Sequence, residues 1–225
     1  MMSKPAKATW IRLATVLLAM VVPLALLLTN VRLLLTPAYV QLAYRMPAFP
    51  EDRYGLTREE RMGQAKIALA YLLNDAGPEF LGDLKFDDGT PVYNEREVRH
   101  MVDVKRLVQA AMRVWIGSLA VAGVLGIALW RLRGFGAFAL GLNSGSKLTL
   151  WVMGILGVGL LVTFSTVFVG FHRIFFEGDT WLFLYTDTLI RLFPERFWQD
   201  AFIILAGSTL AEAVALLLLT RRAGQ

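Results

Sequence analysis

The stretch Asn94-Glu-Arg-Glu-Val-Arg-His100-Met-Val-Asp103-Val-Lys105 begins a helix that we expect to continue into an apolar run from about Val108 to Trp130. Asn94 and Glu97 have the spacing of a capping box, in which each side chain accepts a hydrogen bond from the other residue's backbone N–H. Glu97 and Asp103 then lie one turn to either side of His100, one of two histidines in the chain. A carboxylate can fix the tautomer of an imidazole and raise its basicity, which suits a general base. A solvated helix face explains the same pattern without a function.

The apolar residues, 56% of the chain, are concentrated in four runs, each of about the twenty residues that cross roughly 30 Å of hydrocarbon as a helix. These runs predict transmembrane helices at 13–35, 108–130, 148–171 and 201–220. We therefore expect an all-α integral membrane protein with four spans. The first run is too long for a signal peptide and lacks a small-residue cleavage site, which favours a retained anchor. The absence of cysteine excludes disulfides, thiol nucleophiles and zinc-thiolate sites.

The charges between the runs predict how the protein is oriented. Segments 1–12, 131–147 and 221–225 carry basic residues and no acidic ones, whereas 36–107 and 172–200 have more acids than bases. Basic loops stay in the cytoplasm, so we expect both termini and the short 131–147 loop inside and the two longer segments outside. Because the basic excess lies in the cytoplasmic segments, the net charge of +5 does not indicate nucleic-acid binding.

Segment 36–107 is expected to form a small, mostly helical extracytoplasmic domain between the first and second spans. Thr57 and Glu60 make a second capping box that opens a helix to about Asn74. Residues 84–93 have the pattern of a short β-hairpin with an Asp-Gly turn. The segment is too small for an independent enzyme domain, so we expect it to cap the membrane part.

The second histidine follows the third apolar run, in Phe171-His172-Arg-Ile-Phe-Phe-Glu-Gly-Asp-Thr-Trp181. His100 and His172 are therefore both predicted at the outer lipid–water boundary. Paired imidazoles at headgroup level can deprotonate a nucleophile and protonate a leaving oxygen within reach of a lipid ester. The aromatic residues of 172–200 indicate an interfacial belt. Some of them are also candidates for a lipid or substrate groove: Phe175, Phe176, Trp181 and Trp198.

Two motifs allow a comparison with a known family. The first is Glu97-Val-Arg-His100-Met-Val-Asp103-Val-Lys105. The second is Phe171-His172-x-x-Phe175-Phe176, followed by Trp181, Asp187-x-Leu189-Ile190-x-Leu192-Phe193-Pro194 and Phe197-Trp198. Together with the span count and the outer domain, they resemble a bacterial family of four-span membrane proteins that includes the lipoprotein intramolecular transacylase of Gram-positive bacteria. The second motif is the more specific, because few other proteins follow a span with this run of aromatic residues.

The resemblance implies an acyltransferase of the bacterial cytoplasmic membrane with its active site on the outer face. In the transacylase, the free amino group of a lipoprotein's diacylglyceryl-cysteine takes the acyl chain from its own glycerol sn-2 oxygen, which leaves an N-acylated lyso-lipoprotein. The partners would be a diacylated lipoprotein and membrane lipids, and no ATP, coenzyme A or metal is required. The family's two essential histidines correspond to His100 and His172. One would take a proton from the amine and the other would protonate the glyceryl oxygen, and the sequence leaves their order open.

Three other polar residues have two interpretations each. Asp187 either pairs with His172 or is a charge at a helix N-terminus. Arg113 either holds an anionic group, which would be a tetrahedral oxyanion or a phospholipid headgroup, or simply extends its charge to the membrane interface. Glu212 lies about 18 Å along the helix from the outer end of the fourth span, and we expect it to be protonated or bonded to a neighbouring span.

Two further function classes fit the sequence. One is a metal-dependent membrane hydrolase in which both histidines hold zinc with Asp103 or Asp187, although no His-Glu-x-x-His spacing is present. The other is a non-enzymatic membrane scaffold or sensor that binds a partner through the outer domain. Separate replacement of His100 and His172 by glutamine distinguishes these classes, because a scaffold tolerates both changes and an acyltransferase neither.

Overall fold

The computed structural model describes residues 4–221, and all regular secondary structure in this part of the chain is helical. The prediction of an all-α protein is thus confirmed. In chain order the helices are α1 (Lys4–Leu34), α2 (Pro37–Arg45), α3 (Arg58–Leu73), α4 (Glu79–Gly82), α5 (Glu95–Arg133), α6 (Phe135–Val162), α7 (Phe164–Phe175), α8 (Thr188–Leu192) and α9 (Glu195–Thr220).

Among the described residues, three helices are long and apolar enough to cross a membrane: Ala6–Leu34, Glu95–Arg133 and Glu195–Thr220. Helices α6 and α7 give a fourth if they are counted as one broken span. Helix α5 has 39 residues, so it is about 58 Å long, almost twice the roughly 30 Å of hydrocarbon. Its charged first turns, which carry His100, therefore lie outside its apolar part at 108–130.

The described residues divide into two compact units. The first contains the chain up to Val31, Met112–Val162 and the chain from Ile204, and the second contains Arg32–Ala111 and Thr163–Ile203. The first unit thus consists of the apolar parts of the long helices. The second unit joins the polar segment after α1 to the aromatic segment after α6.

Small residues allow close helix packing inside the first unit. Leu18 and Val22 of α1 belong to a buried cluster that also contains Leu129 of α5. Gly141 and Gly145 of α6 lie against these α1 side chains, and a Cβ atom at Gly145 would come within 2.6 Å of the Val22 Cβ atom. In a lipid environment, where apolar burial gives little driving force, such close backbone approach is what holds helices together.

Two polar contacts also join α1 to other helices of the first unit. The Asn30 side-chain amide, which is 4% exposed, donates hydrogen bonds to Glu212 Oε2 at 2.8 Å and Thr209 Oγ1 at 3.2 Å. Trp115 Nε1 donates to Thr29 Oγ1 at 3.0 Å. Glu212 is thus bonded to a neighbouring apolar helix, as expected for a carboxyl group at this depth.

The helix starts of the second unit follow the sequence signals. Thr57 and Glu60 form the predicted capping box at α3, whose last residue is followed by Asn74 as the C-cap. At α5, the Asn94 N–H donates to Glu97 Oε2 at 2.8 Å, and the Glu97 N–H donates to Asn94 Oδ1 at 3.0 Å. Both predicted capping boxes are confirmed, and the second one fixes the helix register of His100.

A buried arginine joins distant parts of the second unit. Arg61, which is 3% exposed, donates to the carbonyl oxygens of Arg191 and Pro50. The Arg191 guanidinium in turn forms a two-bond ion pair with Asp52, with both distances 2.9 Å. Such bidentate, charge-assisted contacts are among the stronger hydrogen bonds in proteins, so they fix α8 against α3 and the loop before it.

Three local expectations differ from the structure. Residues 131–147, predicted as a loop, are helical except for Gly134, whose φ of 72° ends α5.

The helix predicted over 148–171 is interrupted, because Thr163 between α6 and α7 has an extended backbone. The predicted hairpin at 84–93 is a turn with one isolated bridge between Lys85 and Pro91, and the described residues contain no β-strand. Two backbone hydrogen bonds flank this bridge, from the Phe86 N–H to the Thr90 carbonyl and from the Val92 N–H to the Leu84 carbonyl, both at 2.9 Å.

Candidate active site

The two histidines lie side by side in the second unit. His100 is in the second turn of α5, and His172 is in the last turn of α7. Their ring centroids are 6.1 Å apart, and the ring planes differ by 21°. The two imidazoles, far apart along the chain, are therefore within reach of one substrate molecule. Their catalytic role stays a prediction.

A backbone hydrogen bond fixes the tautomer of His172. Its Nδ1 atom lies 2.8 Å from the carbonyl oxygen of Phe168, one turn earlier in α7. A carbonyl oxygen only accepts, so Nδ1 carries the proton in the neutral ring and Nε2 has the free lone pair. His172 is thus arranged to accept a proton at Nε2.

Aromatic rings enclose His100. The ring centroids of Phe176 and Phe183 lie 5.0 and 5.3 Å from that of His100, and both pairs are edge-on. His100 is 7% exposed, and its Nδ1 atom has no hydrogen-bond partner among the described residues. A buried polar atom without a partner is unusual in a folded protein.

This apolar environment favours the neutral form of both rings. Burial lowers the pKa of His100 to about 4, and the neighbouring His172 contributes in the same direction. Burial also lowers the pKa of His172, and the hydrogen bond to Phe168 partly opposes that change. Both imidazoles are therefore neutral at pH 7.

The carboxylates predicted to support the histidines contact other groups instead. Glu97 Oε1 accepts a 2.6 Å hydrogen bond from the backbone N–H of Leu189. Asp187 pairs with Arg96 at 2.7 Å, and Asp103 pairs with an exposed arginine in its own helix. Among the described contacts, none joins these carboxylates to an imidazole, and Asp187 lies at the N-cap of α8, as in the second of its two interpretations. The buried Glu97 carboxyl group accepts instead from backbone N–H groups at the starts of α5 and α8.

Burial raises the pKa of Glu97, which is 1% exposed. Hydrogen bonds from the N–H groups of Leu189, Asn94 and Thr188 act against this increase, because they stabilise the charged form. The Glu97 carboxyl group therefore accepts hydrogen bonds from the first turns of both α5 and α8.

Two of the four predicted groove residues contact the histidines. Phe176 lies 5.4 Å from the His172 ring as well as against His100, and Trp181 lies 5.1 Å from His172. Phe175 is 50% exposed and packs on Phe171. Trp198 packs within the aromatic segment and donates to the Phe193 carbonyl. Phe175 and Trp198 therefore do not touch an imidazole.

Three further rings contact the histidines and were not among the predicted groove residues. Phe168 lies 4.3 Å from His172, Phe171 lies 5.7 Å from it, and Phe183 contacts His100. The spacing of four between Phe168 and His172 places them on one helix face and could have revealed the first contact. Phe183 lies in an irregular segment, where residue spacing has no such meaning.

Two other predictions concern Arg113 and the zinc site of the hydrolase alternative. Arg113 lies on α5 in the first unit, where it is exposed and has no hydrogen-bond partner among the described residues. Its role as an oxyanion ligand stays a prediction. In the part of the chain that the structure describes, no three His, Cys, Asp or Glu side chains are grouped to hold a metal ion.

Comparison with known proteins places this geometry in a family context. The family described as lipoprotein intramolecular transacylase Lit matches residues 16–198. An uncharacterized protein of Aquifex aeolicus (strain VF5) is 31% identical over 196 residues, which are 87% of each chain.

The fold is shared with solved structures. The membrane integral lipoprotein intramolecular transacylase Lit from Bacillus cereus has a TM-score of 0.73 at 20% identity, with 96% of each chain covered. A variant of that protein with one histidine replaced by alanine has a TM-score of 0.71 at 19% identity and covers 96% of this chain and 94% of that one. At this identity the likeness establishes a common fold.

Proposed function

The chain belongs to the lipoprotein intramolecular transacylase Lit family, and on this premise we propose that it moves the sn-2 acyl chain of a lipoprotein's diacylglyceryl-cysteine to the free amino group of the same cysteine. The product is an N-acylated lyso-lipoprotein. The reaction breaks an ester bond, forms an amide bond and leaves a glycerol hydroxyl, so it balances without a cofactor or second substrate. Because amine and ester share a molecule, their proximity supplies much of the rate.

One observation supports this proposal most directly, namely the stacked pair of His100 and His172 inside an aromatic enclosure. Because their centroids are 6.1 Å apart, the two rings can form hydrogen bonds with different atoms of one tetrahedral intermediate. The apolar lining suits a lipid ester better than a polar substrate.

In the mechanism that we propose, His172 moves the proton. The neutral amine attacks the ester carbonyl, and the nitrogen becomes positively charged in the tetrahedral intermediate. Nε2 of His172, whose lone pair is left free by the Nδ1 bond to Phe168, takes this proton and delivers it to the departing glyceryl oxygen. The imidazole ends neutral, as it began, and no net proton is exchanged with solvent.

His100 has a different role in this mechanism. Its pKa of about 4 leaves the ring neutral at pH 7, so it is not the cationic acid that would protonate the leaving oxygen. A neutral imidazole keeps one N–H, and we assign that N–H to the oxyanion formed on the ester carbonyl. Removal of one such donor typically slows acyl transfer about 10²- to 10³-fold.

We place the reaction at the outer face of the bacterial cytoplasmic membrane, with a diacylated lipoprotein held in the surrounding lipid as substrate. The support is the distribution of charge, since 1–12 and 221–225 contain bases and no acids. On this basis both termini are cytoplasmic, and 36–107 and 172–200 are outside.

Mass spectrometry of lipoprotein N-termini, from bacterial cells with and without this protein, tests the proposal. We expect the N-acylated lyso form only in cells that contain it, and the same conversion of a synthetic diacylglyceryl-cysteine peptide by the purified protein. An identical N-terminal lipid pattern in both cell types contradicts the proposed reaction.

The same assay separates the alternatives. No conversion by the purified protein, together with an N-terminal lipid pattern in cells that both His100→Gln and His172→Gln leave as in the wild type, would indicate a scaffold. Deacylated product with an unmodified amine, formed only without chelator, would indicate a metal-dependent hydrolase. The proposed reaction predicts chelator-resistant conversion and loss of at least about 100-fold in rate for His172→Gln.

A further inference from the structure

Four side chains in the second unit connect the starts of helices α5 and α8, and we call this set the cross-cap: Asn94, Arg96, Glu97 and Asp187. Glu97 accepts from the N–H of Leu189 at 2.6 Å and from the N–H of Asn94 at 2.8 Å. Asp187, the N-cap residue of α8, accepts from the Asn94 side-chain amide at 3.0 Å and from Arg96 at 2.7 Å. Glu97 therefore accepts at the starts of both helices, and the Asp187 side chain accepts from two side chains at the start of α5.

The two carboxylates of the cross-cap are buried. Glu97 is 1% exposed and Asp187 is 9% exposed. Hydrogen bonds between a carboxylate and backbone N–H groups are stronger than neutral ones. Negative charge at a helix N-terminus is also favourable, because the N–H groups there have no partner within the helix. These contacts therefore hold α8 firmly against the first turn of α5.

The cross-cap continues into the aromatic rings around the histidines. Asp187 also accepts from the N–H of Leu184 at 2.8 Å, which fixes the end of the segment that follows α7. That segment contains Phe183, which packs against His100, and the Arg96 guanidinium lies 6.0 Å from the same ring. His100 itself is one turn after Glu97.

The two ends of this segment are anchored differently. At its beginning, the N–H of Phe176 donates to the His172 carbonyl at 2.8 Å, so this end follows the helix of His172. At its other end, the cross-cap joins it to the helix of His100. The cross-cap is therefore a physical link between the helices that carry the two imidazoles.

We infer that the cross-cap sets the position of the His100 ring relative to that of His172, so that Glu97 and Asp187 are positioning residues for acyl transfer. This inference rests on the proposed function for its kinetic consequence, although its geometric content does not. A shift of about 1 Å between reacting groups can slow a reaction by about 100-fold. Loosening the cross-cap is therefore expected to slow the reaction of bound substrate and to leave substrate binding unchanged.

The test uses Glu97→Gln with Glu95→Gln as the matched control. Glu95 precedes Glu97 in the first turn of α5, is exposed and makes no side-chain hydrogen bond within the part of the chain that the structure describes. Glu97→Gln keeps one acceptor oxygen. It replaces the other by an NH₂ group, which cannot accept from the backbone N–H that faces it. We expect kcat for a diacylglyceryl-cysteine peptide to fall about 10- to 100-fold, with KM within twofold of the control.

A second measurement does not depend on activity. The chain has two histidines, so ring-labelled protein gives two sets of imidazole NMR signals. In Glu97→Gln both sets should shift and the His100 signals should titrate at higher pH than in the wild type, because the loosened enclosure admits water. Glu95→Gln should match the wild type.

The two measurements distinguish failure of the inference from failure of the proposed function. If wild-type protein does not transfer acyl groups, the proposed function fails. The NMR shifts then still test whether the cross-cap sets the position of the His100 ring relative to that of His172. Imidazole signals and kcat of Glu97→Gln equal to those of Glu95→Gln would overturn the inference.

A milder variant covers the case in which Glu97→Gln does not fold. Arg96→Gln removes the ion pair with Asp187 and the guanidinium beside Phe183, but this side chain is 39% exposed, so the fold should persist. We expect its kcat to fall about three- to tenfold and the His100 signals to shift in the same direction as above. Unchanged signals and rate in Arg96→Gln would then overturn the inference.

Discussion

The Nδ1 atom of His172 is held by the carbonyl oxygen of Phe168 at 2.8 Å. Nδ1 of the neighbouring His100 has no partner among the described residues. The two imidazoles are therefore chemically different, although their rings are nearly parallel. This difference predicts that they tolerate substitution differently.

Substitutions should separate a proton carrier from a hydrogen-bond donor. His172→Gln and His172→Ala should both reduce the transacylation rate by about 10²- to 10⁴-fold, because neither side chain can carry a proton. His100→Gln keeps an N–H donor and should be at least about tenfold faster than His100→Ala. The measurement is single-turnover conversion of a lipopeptide. Equal rates for the two His100 variants would contradict the donor role.

The pH dependence of the rate should have one rising limb. The reaction needs a neutral substrate amine, whose ordinary pKa is about 7.7–8.0, and a neutral His172, whose pKa is lowered by burial. We expect kcat/KM to rise up to about pH 8 and then to level off. If His100 instead acted as a cationic acid, its pKa of about 4 would confine activity to acidic pH, so a maximum below pH 6 would refute the neutral mechanism.

The burial of His100 should also make folding stability depend on pH. Its pKa is about 4 in the folded state and 6.5 in the unfolded state, so between these values the unfolded chain binds a proton that the native state excludes. The contribution of the neutral His100 to the free energy of unfolding is fully present above pH 6.5. It falls by about 3 kcal/mol as the pH decreases to 4. Chemical unfolding in detergent at pH 7.5 and 4.5 measures this change. His100→Gln should lose most of it.

Removal of a ring from the enclosure should raise the pKa of His100. Phe183→Leu leaves a gap beside the imidazole, whose low pKa results mainly from burial. We expect an increase of about one unit, measured by titration of the His100 NMR signals. Phe175→Leu is the control, because Phe175 is half exposed and packs on Phe171. A similar increase in both variants would show that the His100 contact is not the cause.

The contact between Asn30 and Glu212 should contribute to the stability of the first unit. Asn30→Leu removes the donor and leaves the Glu212 carboxyl group without its bond to α1. Hydrogen bonds between apolar helices in membranes contribute about 0.6 kcal/mol on average and up to about 1.7. We therefore expect a loss of about 1 kcal/mol in detergent unfolding, with lipopeptide turnover unchanged at 25 °C. Arg113→Leu should have no comparable effect, because Arg113 is exposed and makes no hydrogen bond with any other residue that the structure describes.

The helices and the meeting of the two histidines could be predicted because their signals are local or follow from topology. The capping boxes at Thr57 and Asn94 depend on residues three positions apart. The pairing of His100 with His172 follows from two apolar runs that place both at one boundary. These features need no knowledge of side-chain packing.

The partners of the carboxylates could not be predicted in this way. Glu97 bonds to a backbone N–H at Leu189, 92 residues further along the chain. Any residue with a free N–H is an equally good donor, so the sequence has no signal for this contact. The break at Thr163 is similar, because that position has neither proline nor glycine, the residues that usually interrupt a helix.

In the proposed reaction, the rings around the histidines would also decide which nucleophile reaches the ester. An imidazole that can activate an amine can equally activate solvent, and the solvent molecule is smaller and far more abundant. Phe176, Phe183 and Trp181 pack closely on the two imidazoles, and we expect this packing to exclude water and so to favour attack by the amine of the same substrate molecule. The ratio of N-acylated product to released fatty acid is therefore a property of this packing, and it can change while the catalytic groups remain intact.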